Sequence, residues 1–208
     1  MKIHDCPQYS DEWWRLHRGV PTASRFSKIV TPKLGRYSAS ASELICRLIA
    51  ETLTTEPLAD QGAPESYAIR RGNELEPEAR RWYEFECGLD VRQVGLCLTD
   101  DGRFGCSPDG LVGEDGGLEL KCPMPATHVA YLLEGKIPDD YMPQVHGSLV
   151  VTGRKWWEFV SYCPGLPPLR VRAVPNDYTT KLALALEQFW ADYQAALGRF
   201  KTTEAACP

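Results

Sequence analysis

The chain predicts an α/β fold in which helices flank a mixed central β-sheet. Three observations carry this reading. Periodicity runs helix, strands, helices, strands, helix along the sequence. Its 208 residues, 43% of them hydrophobic, suit one compact core, at most with a small appendage. A glycine-rich turn at residues 113–117 lies beside the alternating run 118–122, which is the pattern of a hairpin.

The elements follow in order. Ser10 caps a short helix over residues 11–17, with acids in its first turn and Gly19 past its end. Trp13, Trp14 and Leu16 give it an apolar side. A turn over residues 19–24 leads into a helix carrying Phe26 and Ile29, and the Pro, Gly and Ser/Ala tract 31–42 reads as an exposed, mobile loop. Ser42 caps a helix over 43–53, whose stripe Leu44, Ile45, Leu48, Ile49 belongs to the core. Residues 56–64 read as a loop. Residues 67–87 read as a helix ended by Gly88 and broken or kinked at Pro77, with Ala79, Trp82, Tyr83 and Phe85 in the core.

Residues 91–98, 104–106 and 118–122 read as strands of an antiparallel meander. Helices follow at 127–133 and 141–151, then strands at 155–163 and 169–174. Asp177 caps a last helix to about residue 197, with Leu182, Leu186, Phe189, Trp190 and Tyr193 facing inward; residues 201–208 read as a frayed tail. We expect a single domain over 1–208, with a motif-bearing core at about 13–153 and C-terminal strands and helix at 155–200.

Composition narrows the function. No apolar run approaches the length of a membrane span, and residues 1–14 hold no hydrophobic signal segment, so the expectation is a cytoplasmic protein without membrane contact. Eight cysteines are scattered without a CxxC pair, which predicts mostly buried reduced thiols and no iron–sulfur cluster. A net charge of −5 argues against a general nucleic-acid binder, yet leaves room for a site whose carboxylates are neutralised by metal ions.

The chemistry gathers in residues 104–123. Leu118, Leu120 and Cys122 alternate with Glu119 and Lys121, so Glu119 and Lys121 share one strand face. A hairpin through the glycine turn brings Asp109 beside Glu119. Two carboxylates with a lysine beside them are what a magnesium site handling phosphate needs. Either piece alone is ordinary turn or strand chemistry. The combination is specific: Pro108-Asp109 followed by Glu119-Leu120-Lys121 resembles the PD-(D/E)xK nuclease signature. More narrowly, Ser107-Pro108-Asp109-Gly110 and Leu118-Glu119-Leu120-Lys121-Cys122-Pro123 resemble the lambda-type phage exonucleases and the YqaJ viral recombinases.

The resemblance spans residues 13–153 and implies a restriction-endonuclease-like core, in agreement with the element order. It implies a Mg2+-dependent 5′→3′ exonuclease (Mn2+ a substitute) that degrades one strand of linear double-stranded DNA. The 3′ overhangs would serve phage or prophage recombination through a single-strand annealing partner, and the enzyme would be a homotrimeric ring. A restriction-like or repair endonuclease with the same core is the alternative. By the same resemblance Asp109 and Glu119 bind the ions, with the Leu120 carbonyl a further ligand and Lys121 activating the water. Glu76, in a Gly72…Glu76…Ala79 segment, completes the second metal, and Gln144 positions the nucleophile. Trp14, Arg18, Ser24 and Ser107 resemble the residues that meet the DNA end, the last three holding its 5′-phosphate. Counted back from Thr22-Ala23-Ser24, the family arginine position falls on His17; counted forward from Trp14 it falls on Arg18, and permanent charge favours Arg18.

Overall fold

The computed structural model describes residues 1–54 and 66–206. The loop expected at 56–64 lies outside the described residues, as does the tip of the tail. Among the described residues, eight strands form two sheets. The first has the order β1 (Lys2–His4), β3 (Leu96–Leu98), β4 (Gly105–Cys106), all antiparallel. The second has the order β2 (Val91–Arg92), β5 (Gly110–Val112), β6 (Gly116–Lys121), β7 (Trp156–Ser161), β8 (Leu169–Ala173). Its β6–β7 pair is parallel and the others antiparallel, so the sheet is mixed as expected.

The expected strand at 91–98 is thus two strands in two sheets, and the meander is split between them. The hairpin is present: β5 and β6 pair through a turn in which Gly113 has φ +53°, a conformation glycine adopts without strain. Strand β1 was not foreseen, because three residues at a sheet edge carry too little periodicity to register.

Among the described residues, seven α-helices surround the sheets. α1 (Asp11–His17) is capped by the Ser10 hydroxyl, which accepts from the Trp13 N–H at 3.3 Å. A 3-10 turn, Ala23–Arg25, leads into α2 (Phe26–Ile29). α3 (Ala41–Leu53) begins at Ser40 rather than Ser42, because Ala41 is buried and belongs to the core. The tract before it is pinned rather than loose: Val30 bridges Tyr37, whose hydroxyl donates to Asp192 at 2.7 Å.

α4 (Tyr67–Cys87) runs unbroken through Pro77, against expectation. Ala79 and Tyr83 are fully buried against the sheet, and the Tyr83 hydroxyl donates to the buried Glu158 carboxylate of β7 at 2.7 Å. That packing outweighs the hydrogen bond a proline cannot donate. Trp82 is half-buried. Phe85, expected in the core, is 88% exposed; two residues beyond Tyr83, it falls on the far side of the helix. α5 (Pro125–Glu134), α6 (Met142–Thr152) and α7 (Asp177–Ala206) complete the set. α7 continues beyond the expected end near residue 197, to Ala206.

The five-stranded sheet separates two apolar clusters. Leu118, Leu120 and Val160 pack under α4, whereas Trp157 and Phe159 face α6 and α7. Glu119 alternates with Leu118 and Leu120, so it points toward the α6 side.

Candidate active site

The segment joining β4 to β5 carries the chain from one sheet to the other. Ser107, Pro108 and Asp109 occupy it. Ser107 and Asp109 line a cavity of about 1050 Å³ together with residues of α1, the 3-10 turn, α4, β6 and α6. The bridge between Thr22 and Gly105, and the Gly105 N–H to Pro21 carbonyl bond at 3.1 Å, tie the 3-10 turn to β4 beside Ser107.

Asp109 and Glu119 sit side by side across the β5–β6 hairpin. The Asp109 carboxylate accepts from the Leu120 N–H at 2.6 Å. The Lys121 ammonium and the Gln144 amide both donate to Glu119 Oε1 at 2.6 Å. Burial pushes the Asp109 carboxyl well above the usual carboxylate range, and repulsion from Glu119 adds to this against the pull of Lys121. Burial raises Glu119 as well, offset by Lys121. For Lys121, burial favours the neutral amine, but Glu119 and Asp109 outweigh it and hold the ammonium charged. The cation also lies 5.2 Å from the Tyr141 ring centroid.

Glu76 reaches the cavity from α4 and pairs with Arg80, whose Nε donates to the Asp109 carbonyl at 3.1 Å. Among the described residues no group of three or more His, Cys, Asp or Glu is disposed to hold a metal. The donor set is a buried carboxylate, Glu119, and a half-buried one, Asp109, with a third held off by an arginine. That set fits a hard divalent cation which keeps water and phosphate oxygens as its remaining ligands, and it does not fit a soft or fully caged ion.

The residues expected to meet the DNA end divide. His17, Ser24, Ser107 and Trp14 line the cavity. Arg18 does not: its guanidinium donates to the Glu51 and Thr54 carbonyls, at 3.1 and 2.9 Å, at the end of α3. The His17 ring lies tilted against Trp13, centroids 3.6 Å apart; its Nδ1 is 2.8 Å from the Trp13 carbonyl and its Nε2 is 3.1 Å from Ser107 Oγ. Burial holds this imidazole down at about 4, against the help of the Trp13 carbonyl. The Trp13 indole N–H donates to Ser107 Oγ and to the Gly95 carbonyl, each at 3.0 Å. Sequence reasoning gave Trp13 only a packing role and passed over Arg25, which lines the cavity next to Ser24. The available signal was the cation directly following Thr22-Ala23-Ser24.

Among the described residues no helix is long and apolar enough to cross a membrane. Five of the seven described cysteines are buried and all seven are free thiols, as their spacing predicts.

A family model described as the YqaJ-like viral recombinase domain matches residues 12–155. Among solved structures, the chain is similar to an alkaline exonuclease (LHK-Exo) from Laribacter hongkongensis. The identity is 33% and the TM-score 0.83, covering 96% of this chain and 100% of that one. The same figures hold for LHK-Exo in complex with dAMP. A phage related exonuclease from Haemophilus somnus 129PT shares 12% identity, with a TM-score of 0.59 over 88% of this chain and 98% of that one; at that identity the likeness is one of fold. No curated protein sequence matches the chain significantly.

Proposed function

This chain belongs to the YqaJ-like viral recombinase domain family, and from that membership we propose that it is a DNA exonuclease. The observation that carries the proposal is a pair of adjacent carboxylates, buried Glu119 and half-buried Asp109, beside the half-buried Lys121 ammonium in an open cavity. Carboxylates whose ionisation is resisted by burial and by each other are poised for a cation that neutralises both.

In this reading Asp109, Glu119, the Leu120 carbonyl and Glu76 hold Mg2+, with Mn2+ as a substitute. The ion supplies Lewis-acid stabilisation of the scissile phosphate and lowers the pKa of water. The chain's own groups do the rest. Asp109 is fixed by the Leu120 N–H, and Glu119 by Lys121 and Gln144, so the donor oxygens need little reorganisation. The Lys121 ammonium stabilises negative charge developing on the phosphate and orients the attacking water. Gln144, on α6, anchors Glu119 at the cavity wall, from where its amide would position the attacking water. This is the role pattern of a PD-(D/E)xK nuclease.

The finer reading is a 5′→3′ exonuclease that degrades one strand of linear duplex DNA to leave 3′ overhangs. It works as a homotrimeric ring with a single-strand annealing protein, inside the cytoplasm of a phage- or prophage-bearing host. Residues 1–208 act as one nuclease domain; in support, β7 and β8, beyond the family match, complete the sheet that holds Glu119.

The test is digestion of linear duplex labelled at one 5′ end, beside a closed circle, in Mg2+, Mn2+ and Ca2+. We expect early release of the 5′ label, an intact circle, and no cleavage in Ca2+, whose looser coordination misplaces the water. Nicking of the circle would mark an endonuclease, and early release from the 3′ end would reverse the polarity.

A further inference from the structure

We propose that Cys97 and Cys106 form a modification site, a thiol pair that a peroxide converts to a disulfide and that in this state slows the active site reversibly. The pairing stands on the fold; its effect on cutting rests on the exonuclease reading.

The strand register sets the two cysteines directly opposite each other on β3 and β4. Directly opposed residues of an antiparallel pair have Cα atoms about 4.5–5.5 Å apart and side chains on the same face. A disulfide spans Cα separations of about 4.4–6.8 Å, so the backbone is already within range. Both side chains belong to one apolar cluster, and both are free thiols. Each is the largest influence on the other: their contact draws the Cys97 thiol down and pushes the Cys106 thiol up. Cys106 lines the cavity and Cys97 stands behind it, so a small oxidant entering the site meets the pair. Cys122 lines the cavity too. It follows the last registered residue of β6, and among the described residues no cysteine stands opposite it.

The chemistry needs one peroxide. One sulfur of the pair, as its thiolate, attacks a peroxide oxygen. The O–O bond breaks, the sulfur becomes a sulfenic acid, and the hydroxide released takes up the proton that the thiol gave. The second thiol attacks that sulfur; the S–O bond breaks, the S–S bond forms and water leaves. The two thiols lose two electrons to hydrogen peroxide, which ends as two waters.

The bond acts on its neighbours. Bonded sulfurs lie closer than thiols in contact, so Cys106 is drawn toward β3. Strand β4 is two residues long and runs directly into Ser107, Pro108 and Asp109. Ser148 lies beside the Cys106 thiol, and its hydroxyl donates to the Gln144 carbonyl at 3.0 Å, so the pull also reaches α6. A displacement of about 1 Å at such groups costs on the order of a hundredfold in rate.

The test treats reduced protein with hydrogen peroxide at neutral pH. Remaining thiols are alkylated under denaturing conditions, and the disulfides are mapped by mass spectrometry with and without dithiothreitol. Digestion of linear duplex in Mg2+ is followed on the same samples. We expect a disulfide between Cys97 and Cys106, digestion slowed by about tenfold or more, and recovery in dithiothreitol. Cys106→Ser should digest DNA as the wild type does and keep its rate in peroxide. Cys46→Ser, which removes an exposed thiol on α3, should respond like the wild type. Absence of the disulfide, or equal inactivation of Cys106→Ser, overturns the proposal, as does a disulfide that leaves the rate unchanged. If Cys106→Ser fails to fold, the wild-type map and rate decide alone. Reduced protein that digests no linear duplex in Mg2+ or Mn2+ sinks the exonuclease reading, whereas the disulfide map is read by mass and does not depend on it.

Discussion

At the residue scale, the site sets two adjacent carboxylates against the single ammonium of Lys121. Asp109→Asn removes one of two facing carboxylates but keeps an oxygen to accept from the Leu120 N–H. We expect it to abolish hydrolysis while leaving the metal-free melting temperature equal to or above wild type; a marked drop would mean that the carboxylate is structural. His146 bears on pH instead. It is buried, its Nδ1 lies 2.8 Å from Thr179 Oγ1, and burial holds its pKa at about 4 against an ordinary 6.5. The unfolded chain therefore binds the proton first. The stability this group contributes is complete above pH 6.5 and is lost as pH falls toward 4, on the order of 3 kcal/mol. Melting curves from pH 7.5 to 4.5 should show the decline, less steeply in His146→Gln. Parallel curves for the two proteins would remove His146 as a cause. The triplet of Asp109, Glu119 and Lys121 was legible in the sequence because a glycine turn and a two-residue period are local signals. Arg25 was not, because its direction depends on a 3-10 turn and on Glu51, which is 26 residues away.

At the element scale, α6 joins the two halves of the site. It carries Gln144 to Glu119, and its Gly147 lies against the Phe26 ring and Ala23, which flank Ser24 and Arg25. A Cβ on Gly147 would come within 2.4 Å of the Phe26 ring. Gly147→Ala must therefore push α6 away from the 3-10 turn, at a cost of about 1–3 kcal/mol. We expect a lower melting temperature together with a fall in kcat larger than the change in DNA affinity, since Gln144 shifts with the helix. Unchanged kcat in the destabilised protein would show that α6 tolerates the shift. Helix α4 marks where element reading fails. Its existence and both ends are local, from Ser66 to Gly88, and were read correctly. Whether Pro77 breaks it, and which side Phe85 takes, depends on a sheet that forms far along the chain.

At the scale of the whole molecule, fold class and element order were legible because apolar periodicity is strong and repeated. The division into two sheets was not, because the residues between β2 and β3 read as one continuous strand. If the ring reading is right, light scattering will give a mass near three chains at micromolar concentration. A monomer that still digests long duplexes processively would contradict it. The pairing of β6 has a consequence for how the protein is made. On one side β6 meets β5 through a short turn, but on the other it meets β7 in parallel, Glu119 opposite Phe159, across two helices. A chain leaving the ribosome has thus displayed every residue of the site by Gln144 while its central strand still lacks a neighbour. The nascent chain carries the chemistry without the scaffold. Cutting activity should arrive late in translation, when the strand beginning at Trp156 emerges and locks Glu119 in place.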